Sequence, residues 1–450
     1  MKMSRLPDRW WEQCSCMSRV FSKRDHIKLT ETIAALSDYQ AQGIGAIEIF
    51  APYHGGLEYG ALDPYNFYVV DPEIGTMHDF IALVDACHDR GMAVVIFINV
   101  GYAAMEDGAF LKAQDDVRRG IDSREARMFI WDETGKAPAV ECLSNSFGRD
   151  PEGEWVFSER AGKYYWVRWR GFGEDVALPQ YNFASNEWQA ECQKVLRFWL
   201  DTGIDGMLID APFCYANCDM ATHNRCITDV IREYPNQYIQ PEGGGGAPEE
   251  LLKWVNEAGY NSLQDYAIYT HQKGKTGITE LFETLNTARL ETLQQGWRDV
   301  LVEAGATTYL GSVWRQELSP AQRLVELVTI VTIGSIYHDD NKLMYVDLPT
   351  EIRHRLSAVF MLCDTLPALR LNGKRRALWT RDGVYAFLRH DGRGHEAIVA
   401  INYADEPRDI ELDLPKEARL SDAFSGEEMA ADGKLVLRIP GCDHRIIKVD

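Results

Sequence analysis

The sequence predicts an α/β fold: a (β/α)8 TIM barrel, interrupted after its third strand by an inserted domain and followed by an all-β terminal domain. Three observations predict it. Over the first 365 residues short apolar runs alternate with longer amphipathic ones, the signature of repeated strand–helix units. Between the third and fourth apolar runs lie roughly a hundred residues, far more than one crossover helix needs. After Pro367 the pattern changes to short alternating strands punctuated by Arg381-Asp-Gly, His390-Asp-Gly, Ala431-Asp-Gly and Ile439-Pro-Gly, which are hairpin-turn signals. A chain of 450 residues exceeds one ordinary domain but suits a barrel plus a smaller unit.

The expected barrel strands are Gln13 to Phe21, Ile44 to Phe50, Met92 to Asn99, Ile204 to Asp210, Tyr238 to Glu242, Tyr260 to Gln264, Thr307 to Gly311 and Ile333 to His338. Helical patterns run over Leu29 to Gln42, Thr76 to Arg90, Asn186 to Thr202 and Pro320 to Thr332. Two of them have legible starts: Asn186 as an N-cap with Gln189 three residues on, and Ser319-Pro320 with proline in the first helical position. The implied division is residues 1–100 and 176–365 for the barrel, 101–175 for the insertion and 366–450 for the terminal domain. The insertion carries Trp155, Tyr164, Tyr165, Trp166 and Trp169 with Arg168 and Arg170. We read these aromatics as its packing in preference to a sugar platform.

Composition narrows the partners. Hydrophobic residues at 46% and charged residues at 26% are ordinary for a globular enzyme, and a net charge of −21 repels nucleic acid and anionic membranes. No run approaches eighteen apolar residues, and the first residues hold no signal-peptide core, so neither a nucleic-acid nor a membrane partner is expected, and the expected location is cytoplasmic. Ten cysteines then read as reduced thiols. Cys214, Cys218, His223 and Cys226 cluster, but their spacing fits no zinc pattern; small buried thiols are expected, with no metal and no cofactor.

Two carboxylates carry the chemistry. Asp210 closes Gly203-Ile-Asp-Gly-Met-Leu-Ile-Asp210 and Glu242 closes Asn236-Gln-Tyr-Ile-Gln-Pro-Glu242, about thirty residues apart, one strand–helix repeat of a barrel whose chemistry sits at the carboxyl ends of its strands. Two acids on neighbouring strand ends suit glycoside cleavage, one attacking or activating water and the other protonating the leaving oxygen. Glu242-Gly-Gly-Gly-Gly246 follows the second acid and leaves room for close approach of a substrate.

Leu178-Pro-Gln-Tyr-Asn-Phe-Ala-Ser-Asn-Glu-Trp188, then Val195-Leu-Arg-Phe-Trp-Leu-Asp-Thr-Gly-Ile-Asp-Gly-Met-Leu-Ile-Asp210, resemble the α-amylase family, glycoside hydrolase family 13. So do Asp71-Pro-Glu-Ile-Gly-Thr-Met-His-Asp-Phe80, Gly91-Met-Ala-Val-Val-Ile96 and Gly334-Ser-Ile-Tyr-His-Asp-Asp340. The resemblance covers most of the chain. It implies that the insertion is the family's domain B and the terminal domain its antiparallel β-sandwich. It also implies a retaining reaction with Asp210 as nucleophile and Glu242 as general acid/base, their carboxyls about 5 to 5.5 Å apart and the Glu242 pKa raised by its neighbour and by partial burial.

The chain departs from the family's pattern at most of its sugar-gripping positions. Leu208 stands for the arginine two residues before the nucleophile, and Val313 and Trp314 for a histidine and an aspartate. Phe97, Gly101 and Tyr102 replace an aspartate, an asparagine and a histidine, and Leu62 replaces a stacking tyrosine, whereas Asp63 is kept. Losing such groups together costs orders of magnitude on glucosides. Either the cleaved sugar of a small oligosaccharide or glycoside is not ordinary glucose, or the protein is inactive and binds a sugar or a protein partner. Candidate substrate-binding groups are Tyr53, His54, Asp63, Tyr102, Gln180, Gln264, Asp265, Trp314, Arg315, His338 and Asp339. Arg315 would suit an anionic substituent.

Overall fold

The computed structural model describes residues 6–57, 61–143, 153–171, 176–243, 248–264, 277–311, 318–341, 348–415, 418–429 and 431–449. All eight expected barrel strands are present: β1 Cys16–Val20, β2 Ala46–Phe50, β3 Ala93–Ile98, β4 Gly206–Ile209, β5 Tyr238–Pro241, β6 Ser262–Gln264, β7 Thr307–Gly311 and β8 Ser335–Asp339. They form one sheet in the order β5-β4-β3-β2-β1-β8-β7-β6, with parallel pairing at β3/β4, β4/β5 and β1/β8. This is the circular order of a (β/α)8 barrel. β3, Ala-Val-Val-Ile-Phe-Ile, is buried at every position, as a strand covered on both faces must be.

The helices begin where side chains can satisfy their free N–H groups. Thr76 and Asp79 form a capping box at Met77–His88, and Ser319 and Gln322 form another at Pro320–Ile333. Asn186–Leu200 corrects the sequence reading by one residue: its cap is Ser185, whose hydroxyl accepts from the Trp188 N–H, and Asn186 is already inside the helix. A serine at that position reaches the third N–H more directly than the asparagine after it can.

Two compact units account for the contacts. One comprises Met1–Asp8, Arg19–Leu36 and Ile47–Asn261, the other Arg9–Ser18, Ser37–Ala46 and Ser262–Asp450. In the first, Glu154–Ser158 and Lys163–Arg170 pair as antiparallel strands, with Trp155 edge-on to Trp166 at 5.1 Å and its indole N–H donating to the Ala137 carbonyl. Tyr165 is buried against Phe110. These aromatics therefore pack the insertion.

In the second unit the terminal domain has a six-stranded and a two-stranded antiparallel sheet. Val384, Ala386, Ile398 and Ala400 of the larger sheet and Ile410, Leu412, Leu435 and Leu437 of the smaller share one core, so the two sheets make a sandwich. The turn signal at Asp382-Gly383 joins Lys374–Arg381 to Val384–His390, both residues having positive φ, as a tight hairpin requires.

All ten cysteines are free thiols. His223 engages Tyr260 through Nε2 at 3.0 Å and Asn224 through Nδ1 at 3.2 Å, and burial pushes its pKa down to about 4. Both ring nitrogens are thus committed, and among the described residues no group of three or more His, Cys, Asp or Glu is placed to hold a metal ion. No described helix is long and apolar enough to cross a membrane.

Candidate active site

Strand register brings the two acids together. Leu208 of β4 pairs with Phe97 of β3 and Gln240 of β5, and side chains paired in parallel register share a face. Two residues further along, on the same face, come Asn99, Asp210 and Glu242. The backbone continues the ladder at that level: Asp210 N–H donates to Ile98 O at 2.9 Å and Glu242 N–H to Ile209 O at 2.7 Å. In the layer beneath, Arg19 forms an ion pair with the buried Glu48 and lies 5.2 Å from the Phe97 ring centroid.

Asp210 is 3% exposed and Glu242 is exposed. Burial raises the Asp210 carboxyl well above its usual range, the charge of Glu242 and a hydrogen bond shared with it raise it further, and a hydrogen bond from Tyr102 pulls it back. The Tyr102 hydroxyl donates to Asp210 Oδ2 at 2.6 Å. The sequence expectation put partial burial on Glu242, which is exposed. That is corrected: Asp210, walled in by its own loop and by β3, is the desolvated member of the pair.

Asn99 builds the loop that presents Tyr102. Its carbonyl accepts from Gly101 N–H at 2.7 Å and Tyr102 N–H at 3.3 Å, and its amide donates to Tyr102 O at 2.9 Å and Leu62 O at 2.7 Å. Tyr215 approaches from the loop after β4 and donates to Asp210 O at 2.6 Å. The sequence reading took Asn99 only as the end of a strand and did not name Tyr215. Asn99 stands at the carboxyl end of a barrel strand, a position that could have singled it out; nothing local marks Tyr215.

The other expected site residues divide into three groups. Tyr53 and Asp63 join the acids: the Asn99 N–H donates to the Tyr53 hydroxyl at 3.3 Å, and burial, with Asp210 and Asp63 nearby, raises the Tyr53 phenol. Gly56 gives Asp63 its space, since a Cβ there would sit 2.0 Å from Asp63 Oδ2. Gln180 bridges to Tyr102 through the backbone and donates its amide to Cys214 O at 3.1 Å, so it ties two loops together. His54 lies edge-on to Tyr65 at 5.3 Å. Gln264, His338 and Asp339 belong to the second unit, at the carboxyl ends of β6 and β8, where His338 packs on Tyr309 at 4.8 Å and Tyr337 donates to Asp339 at 3.3 Å. Asp265, Trp314 and Arg315, and Gly244 to Gly246 of the glycine run, lie outside the described residues.

Such an arrangement holds one carboxylate rigid and leaves a second, solvent-facing carboxyl in contact with it, which suits one group to attack and the other to exchange protons. The family model for the alpha-amylase catalytic domain matches residues 49–309, more than half of the chain. The trehalose synthase/amylase of Mycolicibacterium smegmatis is 30% identical over 201 residues, 42% of this chain and 32% of that protein. The trehalose-6-phosphate hydrolase of Bacillus subtilis is 30% identical over 151 residues, 33% of this chain and 24% of that protein. The matched stretch thus spans a third or less of these relatives' length. The crystal structure of an alpha-amylase from H. orenii superposes with a TM-score of 0.76 at 17% identity, covering 97% of this chain and all of that one. The chain belongs to the alpha-amylase family.

Proposed function

We propose that this member of the alpha-amylase family is a retaining α-glycosidase, with Asp210 as nucleophile and Glu242 as general acid/base. The observation that carries the reading is the direct contact of the two carboxyls at the ends of adjacent parallel strands. It supports the close geometry of retaining enzymes against the roughly 6.5–9.5 Å separation that leaves room for water in inverting ones. In the first step an Asp210 oxygen bonds to the anomeric carbon while the glycosidic C–O bond breaks and Glu242 gives its proton to the departing oxygen. In the second, Glu242 takes a proton from water, whose oxygen displaces Asp210 from the anomeric carbon. A sugar hydroxyl in place of water makes the same step a transglycosylation.

The substrate on this reading is a small oligosaccharide or glycoside whose cleaved sugar differs from ordinary glucose. Leu208, buried and apolar, offers no donor to a sugar or a carboxylate, and Phe97 and Gly101 offer no side-chain hydrogen bonds at the other two positions. The names of the relatives offer trehalose and trehalose 6-phosphate as the competing candidates, whose cleavage releases glucose, and support the transfer variant. A cytoplasmic location goes with the reading, supported by ten cysteines that form no disulfide.

The test is a wide panel of α-glycosides, including trehalose, maltose, pentosides, deoxy sugars and charged sugars, assayed with the wild type and with Glu242→Gln. Turnover with retention at the anomeric carbon, lost in the variant, is the expected result. Sugar binding without turnover of any panel member would leave a binding protein, and efficient cleavage of maltose would remove the altered-sugar part of the proposal.

A further inference from the structure

Burial by itself puts the proton of this carboxyl pair in the wrong place. A retaining reaction needs Asp210 anionic and Glu242 protonated, yet Asp210 is the desolvated member and Glu242 the exposed one, and desolvation favours the neutral acid. We propose that Tyr102 and Tyr215, braced by Asn99 and Gly101, form a phenol clamp that fixes Asp210 and favours its ionised form against burial and the neighbouring Glu242. The inference rests on the retaining reading above and deepens it.

The described groups facing Asp210 come from four elements. Glu242 lies at the end of β5, Tyr102 on the loop after β3, Tyr53 on the strand after β2, and Tyr215 on the loop after β4. Three of the four are phenols, and the fourth is an acid that repels charge on Asp210. Tyr102 is the one whose hydroxyl reaches the carboxylate, at 2.6 Å, a charge-assisted bond that stabilises only the ionised form. It cannot swing away cheaply, because the Asn99 amide holds both its N–H and its carbonyl while spending its remaining bonds on Gly101 and Leu62; that uses the whole hydrogen-bonding capacity of the amide.

Tyr215 holds the other end of the residue. Its hydroxyl donates to Asp210 O at 2.6 Å, and its ring stacks on Phe183 at 4.7 Å. The next residue, Ala211, has φ 33° and ψ 52°, a left-handed conformation that costs a non-glycine residue free energy and persists only when its surroundings enforce it. Gly101 makes the enforcement possible, since a Cβ there would lie 2.4 Å from the Tyr215 ring. Gly101 and Tyr102 are therefore parts of one arrangement: the glycine admits one phenol and the next residue supplies the other.

Tyr102 and Tyr215 are on this account positioning residues, and their effects can be read without any substrate. Infrared difference titration of the wild type against Asp210→Asn isolates the Asp210 carboxyl stretch. Tyr102→Phe should raise its midpoint by about one pH unit, whereas Tyr215→Phe should leave it nearly in place. With a glycoside that turns over, Tyr102→Phe should lower kcat roughly 10- to 100-fold, shift the acid limb of the rate profile upward by the same amount as the midpoint, and leave KM almost unchanged. Tyr215→Phe should lower kcat about tenfold without moving the limb. An unmoved midpoint in folded Tyr102→Phe overturns the proposal, as does a raised KM with unchanged kcat, which would make Tyr102 a sugar contact. An unaltered kcat in Tyr215→Phe removes that residue from the clamp. If the wild type turns over nothing, the glycosidase reading falls while the titration still decides the clamp.

Discussion

The strand Gly206–Ile209 carries an aspartate at each end, and the two have opposite fates. Asp205, at the start, is fully buried and faces donors: His88 Nε2 at 2.8 Å and Val94 N–H at 2.9 Å. Its own backbone N–H and carbonyl join the neighbouring strands, to Val94 O and from Tyr238 N–H. Asp210, at the other end, is almost as buried, yet its carboxyl meets that of Glu242 and accepts a bond from the Tyr102 phenol. Residue type, strand and burial are shared, so the partners alone make the difference. A carboxylate surrounded by donors fastens strands, whereas one set against another carboxylate stores unfavourable electrostatic energy that chemistry can use. That matches the division of barrels into a stabilising amino-terminal face and a reactive carboxyl-terminal face.

Substitution at the reactive end should give the largest effect. Asp210→Asn is expected to reduce turnover about 10⁴- to 10⁶-fold while leaving the protein at least as stable at pH 7, because a strained buried charge is removed; urea unfolding beside the glycoside assay would detect a loss of stability that breaks the comparison. Glu242→Gln should cost about 10²- to 10⁴-fold in rate, with less loss on glycosides whose leaving groups depart without protonation, and a leaving-group series measures this.

A third carboxylate, the half-buried Asp364, sharpens the rule from the second unit. It accepts from Ser15 N–H at 2.7 Å, and burial raises it to about 7 against the opposing pull of the Ser15 hydroxyl and N–H. With the folded pKa above the unfolded one, its contribution to stability is present below about pH 4 and lost as pH rises through about 7. The loss is at most about 4 kcal/mol by linkage. Asp364→Asn should flatten the stability profile over that window, as denaturant midpoints at several pH values would show. Smallest is the fastening end: Asp205→Ala leaves His88 and Val94 N–H without their acceptor and should destabilise by about 1–3 kcal/mol, with kcat per folded molecule unchanged.

Much of this was legible in the residues. Runs such as Ala93–Ile98 are apolar throughout because both faces of a barrel strand are covered, and the stop of each run located Asp210 and Glu242 at strand ends. The helix start at Ser319-Pro320 was readable because proline marks the first helical position, whereas placing the other cap on Asn186 erred by one residue because two good capping residues stand side by side. Hydrophobic pattern and caps are local properties, set by neighbours a few residues apart, so sequence determines them by itself.

The tertiary structure decided which carboxyl is desolvated and which groups reach it. Tyr102 meets Asp210 across 108 residues of chain. Tyr215, only five residues on, reaches it because a loop turns back into space that Gly101 leaves open. Position in the sequence carries no record of such encounters: a hydrogen bond or an ionisation state depends on distances within a few ångströms, and those are fixed only when the strands have assembled.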